Sequence, residues 1–329
     1  MSDKVKNKKE NFIGIDIGGS KIMAALFNNE FKILSTKREK FKERTNITGG
    51  IEFIKKLVSE VLVGANLKID SICGIGVGCP GPLDIDKGLV FEAPNLGWKN
   101  VPLKEILTRE FGCQVRIAND VDAGTFGEYR FGAGKDARCV LGVFPGTGIG
   151  GGCVYEGKLF RGKTGSCMEI GHIQVQKDGP LCGCGKHGCI EAFAGRLAIA
   201  AAASVAAFRG QAPYLMEDTG GEIAKIRSKS IARAISAGDT VIEHIVRDSA
   251  KKLGSVIASV VSTIAPDIVV LGGGLVEAMP AIYLKEISAA IKEEAVEFLA
   301  TDVKVAVAKL GDEAGVLGAA ALIAEEAAK

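Results

Sequence analysis

NFIGIDIGGSKIMAALFNNEFKILSTK, residues 11–37, decides the fold. Apolar residues recur at every second position on both sides of Gly18 and Gly19, so the stretch reads as a strand, a glycine-rich turn, a second strand and a third. A dinucleotide-binding or Walker-type loop opens a helix, whereas this turn leads into a strand, which argues against both. Farther on, CVLGVFPGTGIGGGCVYEGKLF (139–160) repeats the scheme: strand, glycine-rich turn with Thr147, strand, and a turn at Glu156 and Gly157. Two copies of one unit predict a duplicated, two-lobed fold.

Between the copies lie a helix near 50–64, a buried strand in SICGIGVGCPGPLD (71–84), a loop in APNLGWKN (93–100) and a short helix near 102–111. QVRIANDVDAGTFGEYRFG (114–132) runs from a strand through Asn119 and Asp120 into a helix. An Ala-rich helix near 192–208 and a long helix from about Thr240 to Ile264 follow, then the strand DIVVLGGG (267–274), a strand near 303–308 and a helical EAGVLGAAALIAEEAA (313–328). Strands and helices alternate, so the class is α/β. No Pro- or Ser-rich linker divides the chain, and the expected boundary falls near 120.

At 329 residues the chain is long for one core and suggests two domains. Its 41 basic and 39 acidic residues nearly balance, which leaves no whole-chain electrostatic footprint of a nucleic-acid binder. The opening MSDKVKNKKE lacks the apolar centre of a secretory signal, and no segment offers a membrane span. A soluble, cytoplasmic protein is expected, with its nine cysteines reduced.

The glycine turns at 18–19 and 146–152 let backbone N–H groups approach an anion, although ordinary tight hairpins use glycine too. One turn carries Asp16 and Lys21 and the other Thr147, which tilts the reading toward phosphate. Asp16 suits a magnesium ion held through water, and Lys21 would offset phosphate charge. Gly272 to Gly274 end a strand, where open α/β sheets bind ligands. Asp120 alone reads as a helix cap. Its place at a strand end also fits a carboxylate that orients a hydroxyl nucleophile and accepts its proton.

GHIQVQKDGPLCGCGKHGCIE (171–191) packs two of the chain's three histidines, three cysteines and a glutamate into one segment. A disulfide, a redox pair, a catalytic metal and a structural metal all use such groups, though reduced cysteines make the disulfide the poorer reading.

GIDIGGSK, CPGPLD, AND, GTGIGGG, EIGH followed by CGCGKHGCIE, and LGGG occur in the order found in the ROK family of sugar kinases and sugar-responsive repressors. The chain resembles that family from about Phe12 to the final helix, and within it the ATP-dependent glucokinases. The resemblance implies one zinc on His172, Cys182, Cys184 and Cys189. Three thiolates and one imidazole fill a tetrahedral site, so the zinc would be structural, with His187 the spare. The other ring nitrogen of His172 would remain free to hydrogen-bond a ligand.

The family's sugar contacts map to Asn119, Asp120, Glu169, His172 and Glu191. Its ATP contacts map to Asp16, Gly18, Gly19, Ser20 and Lys21, to Thr147 and Gly148, and to Gly273 and Gly274; Ser20 stands where threonine is more usual. The resemblance further implies an actin-like (duplicated ribonuclease H-like) ATPase fold with the zinc-stabilised segment in the larger lobe. The smaller lobe would comprise residues 1–120 with the last helix, about 311–329, and the larger 121–310. It also implies a homodimer and transfer of the ATP γ-phosphoryl group, with magnesium, to the 6-hydroxyl of glucose; kinases for N-acetylated hexosamines, mannose or fructose are the nearest alternatives. A repressor would need a helix-turn-helix before the first strand, for which no room is expected, and a catalytically idle sugar sensor would not need Asp120 and both phosphate turns.

Overall fold

The structure is a computed structural model that describes residues 10–18, 21–41, 46–93, 96–163, 165 and 167–327. The chain forms two compact units, one of Met1–Asp136, Lys158–Cys167 and Asp312–Lys329, the other of Ala137–Gly157 and Met168–Gly311.

In the first unit β1 (Asn11–Ile17), β2 (Lys21–Phe27) and β3 (Ile33–Lys40) form an antiparallel meander. Helix α1 (Ile47–Gly64), capped by the Asn46 side chain accepting from Gly49 N–H, leads to β4 (Ile72–Cys79). A small antiparallel sheet of β5 (Leu83–Asp84), β6 (Leu89–Ala93) and β7 (Trp98–Val101) follows. Then come α2 (Leu103–Phe111), β8 (Gln114–Asn119) and α3 (Asp120–Phe131). The main sheet has the order β3-β2-β1-β4-β8, with β4 parallel to both β1 and β8.

The second unit repeats this topology. β9 (Cys139–Pro145) and β10 (Ile149–Tyr155) make an antiparallel hairpin, followed in the chain by the short β11 (Lys158–Leu159). Eight helices are spaced along the rest: α4 (Glu191–Ala194), α5 (Arg196–Phe208), α6 (Pro213–Thr219), α7 (Ser228–Ala237), α8 (Thr240–Ile264), α9 (Gly274–Ala278), α10 (Pro280–Glu294) and α11 (Glu297–Ala300). β12 (Ile268–Leu271) and β13 (Lys304–Val307) complete a sheet containing β10-β9-β12-β13, with β12 parallel to β9 and β13. A hairpin followed by two parallel strands is thus built twice, as the two glycine turns predict.

The last helix, α12 (Ala314–Ala327), is buried along most of its length against the first unit's sheet and α3. Its backbone touches their backbone: a Cβ at Gly14 would overlap the Val316 carbonyl, and one at Gly76 the Ala319 carbonyl. Gly127 on α3 meets Ala314 O in the same way. This packing keeps α3 in the first unit, so a division at 120 would cut the chain at the first residue of a helix; the unit instead continues to Asp136. Residues 158–167, expected in the larger lobe, also cluster with the first unit.

Two local expectations need correction. Residues 98–100 of the expected loop belong to β7, because Trp98 pairs with Ala93 and buries its indole. The expected helix near 192–208 is broken at Gly195, which is extended (φ −70°, ψ 153°). A Cβ there would meet Glu191 O at 2.8 Å and Thr147 O at 3.2 Å.

Candidate functional site

In the first unit the candidate residues gather at the carboxyl ends of parallel strands, where open α/β sheets expose ligand-binding groups. Asp16 lies near the end of β1, in register with Gly78 on β4, and Cys79 is in register with Asn119 on β8. Asn119 caps α3: its side chain accepts from Val121 N–H at 2.9 Å and Asp122 N–H at 3.3 Å. Asp120, the first helical residue, also accepts from Val121 N–H, at 3.0 Å. The helix N-terminus favours its negative charge. The turn after β1 is closed by Gly18 N–H donating to Lys21 O at 2.9 Å, and Lys21 is exposed. Gly19 and Ser20 lie outside the described residues.

Glycines make room for this carboxylate pair. A Cβ at Gly315 of α12 would stand 2.8 Å from Asp16 Cγ, and one at Gly78 would stand 3.4 Å from Asp120 Cα and 3.7 Å from Asp16 Oδ1. Burial, then the Asp120 charge, pushes Asp16 up to about 7, against the pull of Arg38, which is paired with Asp312. Burial and the same two carboxylates hold the Cys79 thiol far above its ordinary range. Two crowded carboxylates of this kind suit a divalent cation.

The raised Asp16 gives a pH-dependent expectation. Well below 3.8 the carboxyl is protonated in both folded and unfolded chains and costs nothing. Between the ordinary value of 3.8 and about 7 the unfolded chain sheds a proton that the folded one keeps, so stability falls as pH rises. Above 7 the full penalty applies, at most about 4 kcal/mol. Asp16→Asn should therefore stabilise the protein in magnesium-free buffer at pH 8 and not at pH 4, as urea titration at the two pH values would measure, while impairing turnover. Equal effects at both pH values would contradict the argument.

In the second unit the turn 146–148 joins β9 to β10, with Gly146 N–H donating to Gly148 O at 2.7 Å. β12 lies beside β9, and Gly272 N–H donates to Val143 O at 3.0 Å. Gly273 (φ 81°) packs where a Cβ would stand 2.7 Å from Pro145 O, so the LGGG and GTG segments are neighbours at the carboxyl ends of β12 and β9. Residues 191–196 hold the turn from the other side. Glu191 Oε2 accepts from Ile149 N–H at 2.9 Å and fills the space that a Cβ of Gly148 would need. Arg196 donates from its main-chain N–H to Gly146 O at 2.9 Å and from Nη2 to Thr147 Oγ1 at 3.0 Å.

The EIGH segment lies on β10. Met168 takes a left-handed conformation (φ 56°), Glu169 follows it, and His172 N–H donates back to Glu169 O at 2.9 Å. Gly151 and Gly171 permit this approach: a Cβ on Gly151 would stand 2.6 Å from Ile170 Cδ1, and one on Gly171 would overlap Ile149 O.

His172, Cys182, Cys184 and Cys189 converge, with one donor atom from each lying within 4.8 Å of the others. Cys182 N–H donates to Lys186 O at 2.8 Å, and Gly185 (φ 84°) turns the chain between the thiols. Zinc–sulfur bonds of about 2.3 Å and zinc–nitrogen bonds of about 2.05 Å at tetrahedral angles put sulfurs roughly 3.8 Å apart and sulfur roughly 3.6 Å from nitrogen. Cys184 and Cys189 sulfurs are 3.7 Å apart, and Cys182 Sγ is 3.6 Å from His172 Nδ1, so the donor set fits zinc in type and spacing. Burial pushes the Cys182 thiol up to about 12 and raises Cys189, so without a cation these thiols stay protonated at neutral pH. His187 stands outside the set, donating from Nδ1 to Gly179 O at 3.0 Å. Glu191 Oε1 lies 3.6 Å from Cys182 Sγ, so one carboxylate touches both the thiol cluster and the Thr147 turn.

The sequence profile of the ROK family matches residues 12–326. The chain belongs to the ROK family. The glucokinase of Streptomyces coelicolor is 36% identical over 316 residues, which cover 95% of this chain and 97% of that protein. The crystal structure of a ROK family glucokinase from Streptomyces griseus in complex with glucose and AMPPNP superposes with a TM-score of 0.82 at 34% identity, covering 95% of this chain and 98% of that one. A putative xylose repressor from Caldicellulosiruptor is 32% identical, over 94% of this chain and 77% of its own length. Enzymes and regulators of the ROK family thus share this mixed α/β fold.

Sequence reasoning missed Gly315 and Arg196. Gly315 was legible only as a small residue in an Ala-rich helix, and Arg196 was hidden because Gly195, which frees it from α4, reads like any helical glycine.

Proposed function

We propose that this ROK family protein is an ATP-dependent hexose kinase that phosphorylates the 6-hydroxyl of glucose. The observation that carries the reading is the pair Asp16 and Asp120, crowded at the carboxyl ends of parallel strands with Asp120 at a helix start, the arrangement needed by a base beside a magnesium-dependent phosphate site. Similarity to glucokinases over nearly the whole chain supports it.

In this mechanism Asp120 accepts the proton of the sugar's 6-hydroxyl as the oxygen–phosphorus bond forms and the bond to the β-phosphate oxygen breaks, releasing ADP. Asn119, Glu169, Glu191 and the free nitrogen of His172 orient the sugar, whose hydroxyls donate to carboxylates. The Thr147 hydroxyl and the backbone of Gly18, Gly148, Gly273 and Gly274 face phosphate and nucleotide; Gly19, Ser20 and Lys21 belong to the same proposal. Magnesium, when bound, neutralises phosphate charge; Asp16 holds its hydration shell. Zinc on His172, Cys182, Cys184 and Cys189 is structural, since four protein ligands leave no open position. The proposal includes the duplicated actin-like fold, a cytoplasmic homodimer, and no nucleic-acid or membrane partner; no described helix is long and apolar enough to cross a membrane.

A hexose panel in a coupled ADP assay tests the reading. Glucose should give the highest kcat/KM, mannose and glucosamine less, and N-acetylglucosamine little, because an N-acetyl group needs apolar room and amide partners that Glu169, His172 and Glu191 do not supply. If N-acetylglucosamine or N-acetylmannosamine outcompetes glucose at equal concentration, the substrate is wrong and the kinase reading survives. No ATP turnover with any sugar of the panel would leave a catalytically idle sugar sensor.

A further inference from the structure

Asp16, Met23 and Arg38 stand in register on β1, β2 and β3. Directly opposed residues on neighbouring strands share a face of the sheet, so Arg38 lies two strands from Asp16 on the face that α12 covers. The start of α12 spans that distance. Gly315 presses on Asp16, and three residues earlier Asp312, in the short 3₁₀ turn Gly311–Glu313, meets Arg38. The contact is a fork: Nη1 donates to Asp312 Oδ2, and Nη2 donates to Oδ1 at 2.7 Å, which fixes direction as well as distance.

Packing does not fix the entry to the helix. Asp312 is the first residue of the last segment that belongs to the first unit, and it follows Gly311, which is left-handed (φ 52°) and where a Cβ would meet nothing within 4 Å. Gly311, Asp312 and Glu313 are exposed, and the burial of α12 begins only at Ala314. Exposed ion pairs contribute little to overall stability. This one acts locally, on the turn that carries Gly315. By charge alone its partners affect Asp16 in opposite senses, Arg38 favouring the ionised form and Asp312 disfavouring it.

We propose that Arg38 is a positioning residue for magnesium: its fork onto Asp312 seats the first turn of α12, and with it Gly315, against Asp16, and so fixes the carboxylate that holds the metal's hydration shell. The magnesium part rests on the kinase reading; the clamp on α12 does not.

Calorimetry on the full chain at about pH 8.5, where Asp16 is ionised, tests it with ADP as the probe, with and without magnesium chloride, beside hydrogen exchange of residues 315–318. Arg38→Met and Asp312→Asn should each weaken magnesium-dependent ADP binding roughly three- to tenfold, leave magnesium-free ADP binding within about twofold of the parent, and speed exchange in 315–318. A pure charge effect would instead split the variants: losing a cation beside two carboxylates tightens a divalent cation, and losing a carboxylate weakens it. Arg38→Lys, which keeps the charge without the fork, should lose part of the affinity. The double variant Arg38→Met/Asp312→Asn should lose no more than either single one, because both remove the same contact. Lys56→Met removes an exposed cation paired with Glu39 on the other face of β3, and it should alter neither readout. Shifts of opposite sign, additive losses or unchanged exchange in 315–318 would overturn the proposal. A parent protein whose ADP affinity ignores magnesium would remove the metal from Asp16, while faster exchange in the variants would keep the clamp.

Discussion

Asp120→Asn is expected to lower kcat by roughly 10²- to 10⁴-fold while glucose still binds measurably in a calorimeter. The substitution is informative because the local structure tolerates it. Asp120 Oδ1 accepts from Val121 N–H at 3.0 Å, and an amide oxygen can accept the same bond. Asn119 continues to cap α3 through Val121 and Asp122. What the amide cannot do is take a proton from a hydroxyl. Asn119→Ala is the contrasting variant: removing the cap should cost about 1 kcal/mol of stability, a fall visible in melting temperature, and should weaken glucose binding, since the same side chain is proposed to orient the sugar. Turnover of Asp120→Asn within a few-fold of the parent would mean that another group, or none, acts as base.

The contrast between these neighbours shows how much was legible in the sequence. Both residues were candidates from the AND triplet, and strand-to-helix passage located them correctly, because alternation up to Ala118 and the shift to a helical period are local signals. The two glycine hairpins and the C-x-C-x4-C knuckle were legible for the same reason, as was α8, which the expected bounds match. Strand β7 was not: Trp98 is extended only because Ala93 offers it a partner. Nor was the membership of α3 in the first unit, which depends on backbone contacts of Gly127 and Gly318 that no spacing encodes. The double duty of Glu191 was likewise invisible. The family resemblance implies a sugar contact for Glu191, but its bond to Ile149 N–H spans 42 positions and exists only after the sheet has formed.

That bond shapes the expected result of disrupting the metal site. Protein purified without added zinc should carry one zinc per chain, and Cys184→Ser should lose it, because a neutral hydroxyl replaces a thiolate ligand. Structural zinc contributes on the order of 10 kcal/mol in small domains at neutral pH, so even a fraction of that should lower the melting temperature markedly. The damage should then spread beyond the knuckle. Cys182 Sγ lies 3.6 Å from Glu191 Oε1, and the other oxygen of Glu191 holds Ile149 N–H at 2.9 Å beside the Gly148 backbone. A loosened knuckle frees Glu191, and with it the turn that carries Thr147. Cys184→Ser should accordingly weaken ADP as well as glucose, each roughly tenfold, the cost of about 1.4 kcal/mol in lost positioning. Cys73→Ser, a half-buried cysteine on β4 remote from the knuckle in sequence, should change neither metal content nor affinities. Metal analysis and calorimetry on the same preparations separate the outcomes. Zinc-free protein that is well folded and binds glucose normally would remove the metal from the site, and normal ADP affinity alongside weakened glucose would break the proposed link through Glu191.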